Sequence, residues 1–163
     1  MKIVIKKNMK VRKQDKFLKI FSLILLFSWM ILIFYLSNQK GSVSQSNSDS
    51  LILLLDKIFN KFNIDVELQS FSRISFFIRK LAHMFLYFIL YFLTYFSMYQ
   101  FKIKKKFKIA LLVCFIFSVS DEIHQLFVPN RSGQVTDVLI DTMASFIAFL
   151  ILKLISLRKS CKL

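Results

Sequence analysis

Charge is missing from long stretches of this chain and crowded into the segments between them. Residues 20–36 contain no charged side chain, and residues 81–99 contain a single histidine. Residues 109–120 are apolar and run directly into the polar stretch DEIHQ, while residues 138–152 hold one acid, Asp141. A helix needs about 20 mostly apolar residues to cross a bilayer core. The pattern therefore predicts an all-α integral membrane protein with four transmembrane helices, at 20–36, 81–100, 109–128 and 136–157. The chain reads as a single membrane domain over 1–163.

The intervening segments follow from the same pattern. Residues 1–19 form a basic tail, and 37–80 form one long external loop together with the outer start of the second helix. Within that loop LILLLDKIFNKF places Leu51, Leu55, Ile58 and Phe62 at helical spacing, with Asp56, Lys57, Asn60 and Lys61 opposite. This predicts a short amphipathic helix lying on the membrane surface or capping the bundle. The second helix is expected to begin near Ser70 or Ser72, because serine is a good N-cap. A short link occupies 101–108. Pro129 ends the third helix, PNRSGQ makes an external turn over 129–135, and 158–163 is a second tail. The first apolar block is longer than a signal-peptide core and no small-x-small cleavage site follows it, so it is expected to be a retained anchor.

Composition adds a direction to this arrangement. The formal net charge is +15, with 24 basic and 9 acidic residues. The two tails and the 101–108 link, with Lys153, hold 17 of the basic residues and one acid, Asp15; the remainder of the chain holds seven bases and eight acids. Short Lys/Arg-rich segments stay in the cytoplasm, so both termini are expected there. Basic segments of this kind also attract anionic headgroups. A nucleic-acid partner is not expected, because no aromatic or glycine-rich interleaving accompanies the lysines. Cys114 falls in the third block and Cys161 in the tail, and both are expected to be free thiols.

The candidate chemistry gathers at one depth. Asp121 lies 12 residues beyond Ile109, about 18 Å along a helix. That puts Asp121, Glu122, His124 and Gln125 in the outer third of the bilayer. Asp137 and Asp141, on the first turns of the fourth helix, reach the same level, as do Arg79, Lys80 and His83 on the second. Ser37 and Gln39 follow the outer end of the first. Arg79, His83 and Tyr87 form one helical stripe, and Asp121, His124 and Gln125 another. Glu122 points elsewhere but can pair with Gln125. Asp137 and Asp141 stand one turn apart, where like charges repel. Arg131, Arg79, Lys80 or a bound cation are the expected compensators. Ionisable groups within a membrane usually face the bundle interior or a water-filled cavity, so an outward-opening polar pocket is expected.

The stretches RKLAHMFLYFILYFLTY and SVSDEIHQLFVPNRSGQVTDVLIDTMAS resemble the VanZ-like membrane family, named for a protein linked to teicoplanin resistance. The positions that fit the family's polar pattern are Ser37, Gln39, Arg79, Lys80, His83, Asp121, Glu122, His124, Gln125, Arg131, Asp137 and Asp141. Two positions depart from it. Leu86 stands where many relatives carry an acid, and Ala144 stands where a glycine is common. The resemblance implies a role in the bacterial cell envelope or in glycopeptide susceptibility, and a place in the cytoplasmic membrane. It implies no particular reaction.

Three readings of the site follow. In the first, Arg79, Lys80 and Arg131 bind an anionic envelope lipid, such as a polyprenyl phosphate, at the outer leaflet, since arginine forks suit phosphate. In the second, the chain is a membrane enzyme acting on a lipid-linked substrate, with His83, Asp121, Asp137 and Asp141 holding a divalent metal. No HExxH spacing, serine nucleophile motif or nearby cysteine supports a more specific chemistry. In the third, the charges are interhelical contacts only, Asp121 with Arg79 for instance. A pH-coupled histidine fits any of these, whereas transport is not expected, because the inner half offers only Thr94, Ser97 and Ser118 as a polar path.

Overall fold

A computed structural model describes residues 2–39, 46, 50, 71–129, 131 and 133–160. Four helices account for nearly all of them: α1 (Lys2–Ser37), α2 (Phe71–Gln100), α3 (Lys106–Gln125) and α4 (Val135–Ser160). The described residues contain no strand. The amphipathic segment expected at 51–62 lies outside the described residues.

Three helices are long and apolar enough to cross a membrane, over Gln14–Ser37, Phe77–Gln100 and Val135–Arg158. The expected fourth crossing, α3, does not meet that standard. Its 20 residues begin with Lys106 and Lys108 and end with Asp121 and Glu122, so no membrane-length window within it is low in charge. Two boundaries also move. The basic tail is not a separate segment, because α1 runs unbroken from Lys2. Helix α3 stops at Gln125 rather than near Val128. Its chain then tightens into i→i−3 bonds from the amides of Phe127 and Val128, at 3.0 and 3.1 Å. Pro129 disfavours helical geometry in the residue before it, so the last turns before the proline leave the α-helical ladder.

Helices α2 and α3 each touch all the other helices, while α1 and α4 do not touch each other. Helices α1 and α4 therefore flank a central α2–α3 pair. The inward stripes explain how closely they pack. Helix α3 buries Ala110, Cys114, Ser118, Asp121 and Gln125, spaced three or four residues apart, and Glu122 beside them. Helix α4 contributes Asp141, Ala144, Ser145 and Ala148. These small residues let backbones approach, as membrane helices require where no hydrophobic drive separates lipid from protein. Helix α2 fills the centre with Tyr87, Leu90 and Tyr91, all fully buried. The bulky apolar side chains face out instead, among them Phe27, Ile31, Phe85, Phe115, Ile116 and Ile147.

Polar links tie the helices along their length. The Trp29 indole of α1 donates to the Leu86 carbonyl of α2 at 3.0 Å. Ser145 of α4 donates to the Tyr87 carbonyl at 3.3 Å, and the Tyr91 hydroxyl donates to the Phe107 carbonyl of α3 at 3.2 Å.

Candidate functional site

Each helix brings polar residues to one end of the bundle, and the first group joins Ser37, Asp121, Gln125 and Arg131. Ser37, at the last position of α1, donates to Asp121 Oδ2 at 2.7 Å. Gln125, one turn beyond Asp121 on the same face of α3, donates to that oxygen at 3.1 Å and approaches Ser37 Oγ at 3.4 Å. Arg131 completes the chain. Its Nη1 donates to Gln125 Oε1 at 3.1 Å. Its Nε donates to the Gln39 carbonyl at 3.1 Å, and its Nη2 reaches the Leu36 carbonyl at 3.5 Å.

The last turn of α1 contains no basic residue. A helix C-terminus leaves carbonyls unsatisfied and carries partial negative charge. Arg131, from the turn between α3 and α4, supplies the missing cation and donors. Burial pushes its guanidinium down from the ordinary value, and Asp121 pulls it back up; the group stays charged at neutral pH.

A second set of contacts orders the start of α4. Glu122 Oε2 accepts the Gln134 amide at 2.8 Å. Glu122 was expected to pair with Gln125, but the 100° between successive helix residues turns it toward α4 instead, where its charge suits a helix N-terminus. Gly133 makes this approach possible. A Cβ there would lie 2.7 Å from the Glu122 carbonyl oxygen and 2.9 Å from Leu126 Cδ2. Lys80 pairs with Asp137, and Ser118 donates to Asp141 Oδ2 at 3.3 Å. The two aspartates stacked on α4 are thus answered separately, one by a cation from α2 and one by a hydroxyl from α3.

What remains is unanswered. Seven buried polar atoms among the described residues have no hydrogen-bond partner: Arg79 Nε, His83 Nδ1, Tyr87 Oη, Asp121 Oδ1, Glu122 Oε1, His124 Nε2 and Asp141 Oδ1. All seven belong to this end of α2, α3 and α4. Native proteins leave few such groups, and each calls for a water, an ion or a ligand. The set holds nitrogen donors on Arg79 and the imidazoles together with carboxylate acceptors. His83 lies within electrostatic reach of Asp121 and Asp137 and also of Arg131 and Lys80. His124 packs its ring against Phe34 of α1, with centroids 4.7 Å apart. Among the described residues no three His, Cys, Asp or Glu side chains group closely enough to hold a metal ion.

Of the residues expected at the site, Asp121, Gln125 and Arg131 share one network, and Lys80 and Asp137 share an ion pair. Arg79, His83, Glu122, His124 and Asp141 contribute open atoms, as do Asp121 through its second oxygen and Tyr87 through its hydroxyl. The Asp121–Arg79 pairing is replaced by Asp121 with Ser37 and Gln125. Ser118 and Gly133 were not singled out as site residues. The signal for Ser118 was its place between Cys114 and Asp121 on one stripe of α3. Gly133 was signalled only by being one of the two glycines in the chain.

A sequence model of the VanZ/LLP1 family matches residues 21–156. The chain belongs to that family. The match begins within α1 and ends within α4, and it contains every residue of the network and every open atom. With three helices long and apolar enough to cross a bilayer, membership of the VanZ/LLP1 family makes this a helical membrane protein. No curated protein and no solved structure matches the chain.

Proposed function

We propose that the polar end of this VanZ/LLP1 bundle receives the head of an anionic envelope lipid or lipid-linked precursor. The bundle crosses the bacterial cytoplasmic membrane four times with both termini inside, so that this end faces the outer leaflet. The observation that carries the reading is the set of seven unpartnered buried atoms, which mixes a guanidinium nitrogen, two imidazole nitrogens and a phenol hydroxyl with three carboxylate oxygens. A lipid phosphate suits Arg79 and the imidazoles. The hydroxyl or amine groups of a lipid-linked headgroup suit the open oxygens of Asp121, Glu122 and Asp141. Arg131 has a different task, because its donors are already engaged with α1 and Gln125. It holds the first helix in place, while Arg79 meets the ligand. A protein that binds or shields such a precursor alters how glycopeptide antibiotics meet their target, which accounts for the susceptibility role.

The test is lipid retention. Protein purified in mild detergent is expected to carry polyprenyl phosphate, and Arg79→Gln or His83→Asn to lose most of it at unchanged abundance. The same variants are expected to change teicoplanin susceptibility in whole cells. Equal retention by the parent and both variants would remove the reading.

A further inference from the structure

The opposite end of the bundle carries a groove that the outer site does not use. Lys104, Lys105, Lys108 and Lys153 rim a cavity of about 380 Å³ between the start of α3 and the end of α4. Phe107, Phe149 and Leu157 form its apolar wall, and Lys153 Nζ lies 5.5 Å from the centre of the Phe149 ring. Among the described residues no carboxylate lines it. Along α3 the groove is about 20 Å from Asp121.

The placement of these lysines is electrostatically unfavourable as it stands. A helix N-terminus carries partial positive charge and favours acids. Helix α3 has no acid in its first turn, its N-cap residue is Lys105, and no side chain caps it. Lys104, Lys105, Lys106 and Lys108 crowd the same turn. The Lys106 ammonium finds the face of Tyr99, 4.7 Å from the ring centre. Lys153 stands over the Phe149 ring, but among the described residues the lining offers the groove lysines no negative charge. An anion seated there would neutralise them and the helix end together. The apolar wall asks for more than an anion. Leu157 is exposed, and Phe107 and Phe149 are partly so. A free phosphate leaves that wall uncovered, whereas an acyl chain covers it.

We propose that this groove binds an anionic glycerophospholipid from the leaflet at the basic end, with the phosphate among Lys104, Lys105, Lys108 and Lys153. One acyl chain lies against Phe149 and Leu157. The site is separate from the outer pocket and does not depend on its ligand.

The experiment uses the full chain in a neutral detergent, with phosphatidylglycerol and phosphatidylcholine titrated and bound lipid counted by native mass spectrometry. One phosphatidylglycerol per chain is expected, in clear preference to phosphatidylcholine. The variant Lys104→Gln/Lys108→Gln/Lys153→Gln is expected to bind it at least about tenfold more weakly, since each basic residue near a membrane surface contributes measurably to anionic-lipid attraction. Removing three charges from the tail instead, at Lys6, Lys10 and Lys13, is expected to change little. Leu157→Asn alone is expected to weaken lipid binding and leave folding intact, which keeps the test decisive should the triple variant fail to fold. The proposal is overturned if the tail variant loses as much lipid as the groove variant, or if the two lipids bind equally. It is also overturned if inorganic phosphate displaces the lipid at equal concentration, or if the groove variant acts only on self-association.

Discussion

Arg131 shows how one side chain can make a charged residue structural. It satisfies two carbonyls at the end of α1 and the amide oxygen of Gln125. Arg131→Ala removes its hydrogen bonds to the Gln39 and Leu36 carbonyls and to Gln125 Oε1, and with them a positive charge that acts on Asp121. Removing one partner from a buried charged network typically costs on the order of 3 kcal/mol. The expected outcome is reduced abundance in membranes and a lower melting temperature in detergent. Arg79→Gln should instead keep both and lose ligand. Gly133 makes a second residue-scale case. The atom that a Cβ would meet first is the backbone oxygen of Glu122, which cannot rotate away as Leu126 can. Gly133→Ala should therefore destabilise by about 1–3 kcal/mol, the usual cost of overpacking, and thermal denaturation would show it. That Asp121 would face inward is legible from the cost of charge in lipid, and Arg131 in the adjoining turn is legible as a candidate cation for the acids. Their partners are not. The carbonyls that Arg131 binds lie 92 and 95 residues away, on backbone that every sequence has.

At the scale of elements, hydropathy and hydrogen bonding mark different boundaries. The apolar blocks located the helices, yet α2 begins at Phe71 and α4 runs to Ser160, both beyond the apolar limits. Hydropathy marks where a helix meets hydrocarbon, whereas the helix itself ends where its hydrogen bonds do. The end of α2 shows what such a limit requires. Lys102 adopts φ 57°, its amide bonds the Tyr99 carbonyl at 3.0 Å, and the Ile103 amide bonds the Met98 carbonyl at 3.0 Å. This is a Schellman closure with lysine in the position that glycine prefers. The lysine charge favours the adjoining helix C-terminus, which offsets part of the left-handed cost. Lys102→Gly is therefore expected to match or slightly exceed the parent in stability, while Lys102→Val should lose more than about 1 kcal/mol, because a β-branched residue resists positive φ. A melting series of the three proteins checks the order. A Val variant as stable as the parent would mean that the turn is not held as described.

For the whole molecule the sorting of charge predicts a direction across the membrane. The two ends of the bundle differ in kind. One carries lysines around a groove and along the link after α2, and the other gathers acids, imidazoles and arginines from α2, α3, α4 and the turn between α3 and α4. Such sorting is the mark of retention of basic segments on the cytoplasmic side, and it predicts that the segment between α3 and α4 lies outside. The weak point is α3, whose charged ends keep it from qualifying as a crossing on hydropathy alone. Yet Asp121, Glu122 and Gln125 are buried against α1 and α4, so their charge meets protein rather than lipid, and the hydropathy of α3 understates its fitness to cross. If α3 did not cross, the turn at 129–135 and the link at 101–108 would share a side. Single cysteines distinguish the two cases. In a background with Cys114 and Cys161 replaced by serine, Asn130→Cys is expected to react with a membrane-impermeant maleimide in intact cells, and Lys104→Cys only after the cells are opened. Labelling of both from the same side would reverse the assignment of α3, and the polar end of the bundle would no longer face the outer leaflet.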